Sequence, residues 1–426
     1  MSDKVKINSE PFVREAINKL YSYLNSHIIA LTENEKKYSG FLLDISNPSK
    51  KNGIGIGSVA IGLSMYTYEK NNDKSKMEEM CNFIIDCQLS SGAWTVSTLR
   101  EKEIGLTYTT CYALNALILY NYEDYKHQIN DGLLWLSNNV NVNEGWGFKQ
   151  EDKSEIYATA EVLRIISLAK EYRCSISYDF ENNINKAKLW LIKQKENMYW
   201  KCNNNPSLYY TALCYKALVN DSSISLDLTD TRKWLISNIN NAKCLERKQY
   251  QIDCKGFTYR DQIDCFTKAT VLNAILSNKN LLYSHEIEIE IVKLLKSQDN
   301  LGYFTCHDES IKVPIFLNYY VIDTLDLYTS YLIRKCKPKF KEEIEDLYSK
   351  FPFYTILFLV LTIIGFIDLL LYFKDFLFSI PYLFNSILNF FEKQSGLANL
   401  VTISGVSTAL ILTFIYRMFL RNKKGK

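Results

Sequence analysis

The sequence predicts an all-α protein: a six-hairpin α/α toroid followed by a two-helix transmembrane hairpin. Three observations carry this expectation. Short blocks joining a glycine to an aromatic recur at intervals of roughly fifty residues, a period typical of helical-hairpin repeats. Each block leads into a segment that is apolar on nearly every side, and a helix of that kind belongs in an interior. Near the C-terminus, two runs of about twenty apolar residues are each long enough to cross a bilayer.

The repeats come first in the chain. A degenerate opening copy pairs "YSGFLLDISN" with "IGIGSVAIGLSMYTY". "CQLSSGAW" then leads to "LTYTTCYALNALILY", and "WLSNNVNVNEGWGF" to "EIYATAEVLRIISLA". "WLIKQKENMYW" precedes "SLYYTALCYKALV", "KGFTYRDQIDCF" precedes "TKATVLNAILS", and "LLKSQDNLGYF" precedes "VPIFLNYYVIDTLDLY". Small residues (Ala113, Ala116, Ala160, Ala212, Ala269, Ala274) stand at helical spacing in the second helices. First helices such as "KMEEMCNFIIDC" are amphipathic and suit an outer layer. Glycine supplies the positive-φ cap that ends the outer helix, and the aromatic staples the turn to neighbouring hairpins.

The membrane part follows. The assignment is a toroid over 1–336, a charged linker helix over 337–350, and a membrane domain over 351–426 with spans near 352–373 and 397–420. The runs are "FPFYTILFLVLTIIGFIDLLLYF" and "LANLVTISGVSTALILTFIYRMFL". Lys337, Lys339, Lys341 and Lys350 precede the first; Arg421, Lys423, Lys424 and Lys426 follow the second. The loop between them carries only Lys374 and Lys393, balanced by Asp375 and Glu392. The positive-inside rule puts the toroid and both termini in the cytoplasm, as a multi-pass protein of a bacterial inner or plasma membrane. Gly405 with Ala398 and Ala409 suits close helix packing and a homo-oligomer through the spans. Asp368 lies near the end of its span and reads as interfacial.

Composition agrees. The 426 residues exceed the usual single-domain size, and 47% are hydrophobic. Net charge is +3; residues 337–426 hold 11 Lys/Arg against 7 Asp/Glu, so the remainder is nearly balanced and nucleic acid is not an expected partner. Eleven cysteines are scattered without CxxC pairs, and "MSDKVKINSEPFVREAINKL" is charged throughout. This reads as reduced thiols in a cytosolic domain.

"GAW" after Gln88, "EGWGF" and "QDNLGYF" resemble the Q-x-x-x-G-x-W/F repeats of squalene cyclases and protein prenyltransferase β-subunits, over roughly Gly40–Tyr331. The resemblance implies three chemistries. Class II terpenoid cyclases protonate an alkene with the middle acid of D-x-D-D-T-A. "EIYATA" is the best match, with Thr159 and Ala160 retained. Only Glu155 keeps a carboxylate, and Tyr157 and Ala158 occupy the other acid positions. A tyrosine of pKa about 10 does not replace that acid.

Prenyltransferases bind zinc through a D-x-C pair and a His, and a zinc site of that kind needs three protein ligands. "RDQIDCFTKATVLNAIL" is similar to the D-x-C helix, but Asp264 and Cys265 are adjacent, and Leu317 stands where the His is expected. His307 lies beside Cys306 and Asp308 in the preceding loop. Asp264 therefore reads as a helix N-cap and Cys265 as a buried thiol. For an isoprenoid diphosphate, Arg260 and Lys268 are the nearby cations. Lanthipeptide cyclases, a third relative, share only the "CH" dipeptide at Cys306–His307. No metal site and no cofactor are expected.

Tyr108, Tyr112, Tyr157, Tyr209, Tyr210, Phe266, Tyr319 and Tyr320 cluster near inner-helix starts. In cyclases such rings line the cavity, which makes Tyr157, Tyr209, Tyr210, Phe266, Tyr319 and Arg260 ligand-binding candidates. Asp261, Asp264 and Glu155 are the candidate catalytic acids.

Three functions follow. The toroid binds an isoprenoid, lipid or peptide ligand without standard catalysis, as sensor for a two-span membrane effector. Alternatively it is a membrane-tethered terpenoid cyclase or prenyltransferase with a non-standard acid or metal site. In a third reading it is an interaction scaffold. The missing acids and zinc ligand favour the first.

Overall fold

The computed structural model describes residues 9–33, 35–41, 54–68, 73–141, 144–221, 227–241, 246–254, 257–281, 284–305 and 318–332. Six hairpins follow one another, each an outer helix, a turn and an inner helix. α1 (Ser9–Asn25), β1 (Ile29–Glu33) and β2 (Lys36–Gly40) precede α2 (Ile56–Tyr66). α3 (Lys74–Asp86) and the short α4 (Ser97–Arg100) precede α5 (Thr107–Asn121), and α6 (Lys126–Asn138) precedes α7 (Ile156–Glu171). α8 (Tyr178–Lys193) leads through β3 (Lys195–Glu196), β4 (Tyr199–Cys202) and β5 (Asn205–Pro206) to α9 (Leu208–Leu218). α10 (Thr229–Asn238) leads through β6 (Glu246–Cys254) and β7 (Phe257–Cys265) to α11 (Thr267–Leu276). α12 (His285–Lys296) precedes the last inner helix, residues 318–332.

Sequence pattern sorts the helices into layers. α3 buries Met77, Met80, Cys81 and Ile84, and α12 buries Ile287, Glu290, Ile291 and Leu294, the i, i+3, i+4, i+7 spacing of a helix with one wet face. α5 is buried at eleven of its first twelve positions and α11 at nearly all of its ten, as interior helices must be. Consecutive inner helices pack in the order α2, α5, α7, α9, α11, and each packs on the outer helix that follows it.

Glycine and glutamine close the ring. Gly92 and Gly302 sit at φ +89° and +100°, where an L side chain is strained. The Gln88 amide donates to the Gly92 carbonyl at 2.9 Å and to Gln128 of α6 at 2.9 Å. The Gln298 amide repeats the pattern, to Gly302 at 2.8 Å and to Ala16 of α1 at 2.8 Å. For the last turn, α1 thus stands where α6 stands for the earlier one, and the circle is complete.

The expectation of an all-α domain needs correction. Three small antiparallel sheets, β1–β2, β3–β4–β5 and β6–β7, interrupt the hairpins. The longest arises because "ERKQYQIDC" and "FTYRDQIDC" are rich in polar–apolar alternation and β-favouring Tyr, Ile, Thr and Phe. The linker helix and both spans expected at 337–426 lie outside the described residues. Among the described residues, no helix is long and apolar enough to cross a membrane.

Candidate functional site

Three hairpins repeat one clasp. Trp94, Trp146 and Trp200 donate their indole N–H to the carbonyls of Ile84, Leu136 and Leu191 in the preceding outer helix, at 2.7, 2.8 and 2.8 Å. Their backbone N–H groups donate to the hydroxyls of Thr110, Thr159 and Thr211 in the next inner helix, at 3.0, 3.0 and 2.9 Å. Each threonine hydroxyl also lies within donating reach of the same tryptophan's carbonyl, at 3.3, 3.4 and 3.3 Å. Thr159 is therefore a fastening between turn and helix. The indole staples each turn as the sequence suggests, but the positive φ expected of glycine falls on Gly92 in only the first and on Glu144 and Asn197 in the other two.

Tyrosines gather where the inner helices begin. Tyr157 lies in the first turn of α7, buried, with its hydroxyl 2.8 Å from that of Tyr112. Its ring centroid is 6.3 Å from Phe148 and 6.4 Å from Tyr209, which lies 6.2 Å from Tyr210. Tyr319 and Tyr320 continue the layer at 5.5 Å. Burial first, then the neighbouring Tyr112, pushes the Tyr157 pKa well above the ordinary phenol value, so it stays protonated. Tyr112, Tyr210 and Tyr320 are only half-buried.

Deeper in the ring stands a polar network to which every inner helix contributes. The Arg164 guanidinium donates to Glu161 from Nε at 3.0 Å and pairs with it through Nη2 at 2.9 Å, while Nη1 donates to Asn115 at 2.8 Å. Asn115 donates in turn to Ser64 of α2 at 2.8 Å and to the Tyr319 hydroxyl at 3.4 Å. Alongside, Lys216 of α9 pairs with Asp323 at 3.0 Å and donates to Asn273 of α11. Tyr68, just beyond α2, donates to the other Asp323 oxygen at 3.0 Å.

Side-chain exposure is 1% for Glu161, 16% for Arg164, 19% for Lys216 and 11% for Asp323. Lys216–Asp323 and Asn115–Tyr319 join inner helices that do not follow one another in the chain, so these side chains reach across the ring. Burial opposes the Arg164 charge, yet Glu161 holds the guanidinium protonated, well above its usual value. Burial likewise opposes ionisation of Asp323, but Lys216, then Asn273 and Tyr68, hold its pKa below the usual carboxylate value.

The expected site residues divide. Tyr157, Tyr209 and Tyr210 meet in the aromatic layer, Tyr319 packs on Tyr320 and accepts from Asn115, and Phe266 is buried at the N-cap position of α11. Asp261, Asp264 and Arg260 do not start an inner helix: they lie on β7, opposite Tyr250, Arg247 and Gln251. The strand alternation of "YRDQIDC" outweighs the helix reading there, and Asp264 is not the cap. Glu155 does occupy the N-cap position of α7, but it is exposed and its side chain caps nothing. Partial desolvation, followed by the Asp152 charge, raises its pKa. Cys306, His307 and Leu317 lie outside the described residues. Among the described residues, no group of three His, Cys, Asp or Glu side chains is placed to hold a metal.

Sequence reasoning missed Ser64, Asn115, Glu161, Arg164, Lys216, Asn273 and Asp323. The available signal was a polar residue inside each otherwise apolar inner helix. A buried polar residue is more informative than an exposed apolar one.

No family model and no curated protein matches the sequence. Solved structures do match the fold. A variant of the type II terpene cyclase MstE from Scytonema, in complex with its product merosterolic acid A, superposes with a TM-score of 0.50 at 13% identity, covering 76% of this chain and 99% of that one. A protein from Actinoplanes gives 0.50 at 10% identity, covering 74% and 99%. The GH76A α-1,6-mannanase from Salegentibacter gives 0.48 at 11% identity, covering 74% and 98%. At such identities the likeness shows the architecture alone: this chain has the α/α-toroid fold that the terpene cyclase also has.

Proposed function

We propose that this terpenoid-cyclase-like toroid binds an isoprenoid, lipid or peptide ligand at its tyrosine-lined mouth without cyclising or prenylating it. In this reading it is the sensing part of a membrane-attached effector. The observation that carries the proposal is the network of Arg164, Glu161, Asn115, Lys216 and Asp323, which occupies the middle of the ring where a chamber for a folded polyene would be needed. The phenol of Tyr157 at the position of the family's acid supports the same conclusion. The half-buried faces of Tyr112, Tyr210 and Tyr320 supply flat apolar surface with polar edges, suited to an amphiphilic chain. Membrane attachment, cytoplasmic orientation and assembly through the spans rest on the two apolar runs and their flanking lysines.

The test uses the full chain purified in detergent. Apolar molecules extracted from it are identified by mass spectrometry, and turnover is assayed with squalene and geranylgeranyl diphosphate. Co-purified ligand with no product is expected. Product formation, or zinc bound in stoichiometric amount, would reject the non-catalytic reading.

A further inference from the structure

The β6–β7 ribbon is the largest departure from the repeat, and its position gives it a task. Its strands pair in unbroken register from Glu246↔Cys265 to Cys254↔Phe257. At about 3.4 Å per residue, nine residues span roughly 30 Å. The root lies one residue before the N-cap of α11, at the same end of the ring as the tyrosines. Toward the tip, hydrogen bonds from Gln251 and Thr258, and then the charge of Lys149, depress the Asp253 pKa. Lys149 bridges to Leu106 at the start of α5, and the adjacent Phe148 packs on Tyr157. From α11 the ring runs through α9 and α7 to α5, whose start carries the Leu106–Lys149 bridge.

The two faces of the ribbon differ. Ile252 is fully buried and its cross-strand partner Tyr259 half-buried, both against the core. Gln251, Asp253, Thr258 and Arg260, on the other face, are exposed. We propose that the ribbon is the lid of the ligand site: Ile252 and Tyr259 latch it over the tyrosine layer, and an apolar ligand enters only when it lifts. This rests on the binding reading above. A two-stranded sheet is marginal by itself, so its closure depends on that latch.

The test compares full-length wild type, Ile252→Ser and the exposed control Gln251→Ser. Tyrosine nitration, mapped by peptide mass spectrometry, is expected to be at least fivefold faster at Tyr112, Tyr157 and Tyr210 in Ile252→Ser and unchanged in the control. Association of the neutral fluorophore N-phenyl-1-naphthylamine is expected to be about tenfold faster in Ile252→Ser. Equal nitration in all three proteins overturns the lid. Faster nitration with no fluorophore binding in any protein keeps the lid and removes the binding reading. Should Ile252→Ser fail to fold, hydrogen exchange of the wild type decides. Ribbon amides exchanging far faster than those of α7 support a lid that lifts, and equal protection excludes one.

Discussion

Replacing Lys216 by methionine tests whether the centre of the ring is held by charge. The substitution keeps the length of the side chain and removes only the ammonium, leaving Asp323 with Asn273 and Tyr68. Breaking a buried ion pair on one side costs about 3–5 kcal/mol, because the surviving charge stays desolvated. Asp323 is 11% exposed and keeps its contacts with Asn273 and Tyr68, so the lower end applies, about 3 kcal/mol. For a domain of this size that corresponds to a fall in Tm of about 4 °C. Differential scanning fluorimetry on the full chain reads it directly.

The double variant Lys216→Met with Asp323→Leu removes both charges and is expected to recover most of the loss. The pH dependence has a definite sign. In wild type the depressed Asp323 pKa contributes stability that is present above the unfolded value of about 3.9 and lost as pH falls through the folded value. In Lys216→Met, burial raises that pKa, so the deficit is largest at neutral pH and narrows on acidification. A single-variant cost under about 1 kcal/mol, or a deficit independent of pH, would refute the account of the centre as a charge-held plug.

Gly302→Ala places a Cβ against the Lys19 carbonyl of α1 at φ +100° and is expected to open the ring, with faster limited proteolysis of α1. Gly57→Ala, with nothing within 4 Å, is the control and gains about 0.5–1 kcal/mol of helix stability. Thr159→Val removes the hydroxyl that fastens Trp146 and costs about 1–3 kcal/mol in chemical denaturation, most of which Thr159→Ser restores. Tyr157→Asp puts a carboxylic acid into the tyrosine layer; gas chromatography of squalene incubations is expected to show no cyclised product, and Tm falls, since the acid would be buried beside Tyr112. In the folded protein Cys111 and Cys214, whose thiol pKa values burial holds well above the ordinary value, are expected to resist maleimide while half-buried Cys202 reacts, as read by intact mass.

Much of the architecture is legible in the sequence because it depends on local chemistry repeated six times. Gly92 and Gly302 announce turns that need positive φ, and Trp94 and Phe304, two residues on, mark where those hairpins reverse. The spacing of Met77, Met80, Cys81 and Ile84 declares an outer helix without reference to anything else in the chain. The β6–β7 ribbon is harder. The likeness of Asp264 and Cys265 to a metal-binding helix start hides the alternation that makes a strand.

What the sequence by itself determined is the repeat: hairpin number, layer assignment and the Gly-aromatic turns, each set by contacts within about sixty residues. What only the tertiary structure decided is the content of the ring. Arg164 meets Asn115, Lys216 meets Asp323, and Tyr68 meets Asp323 across as many as 255 positions of chain. Such pairs leave no periodic trace, because each inner helix contributes only one or two polar residues and the partner is chosen by ring closure.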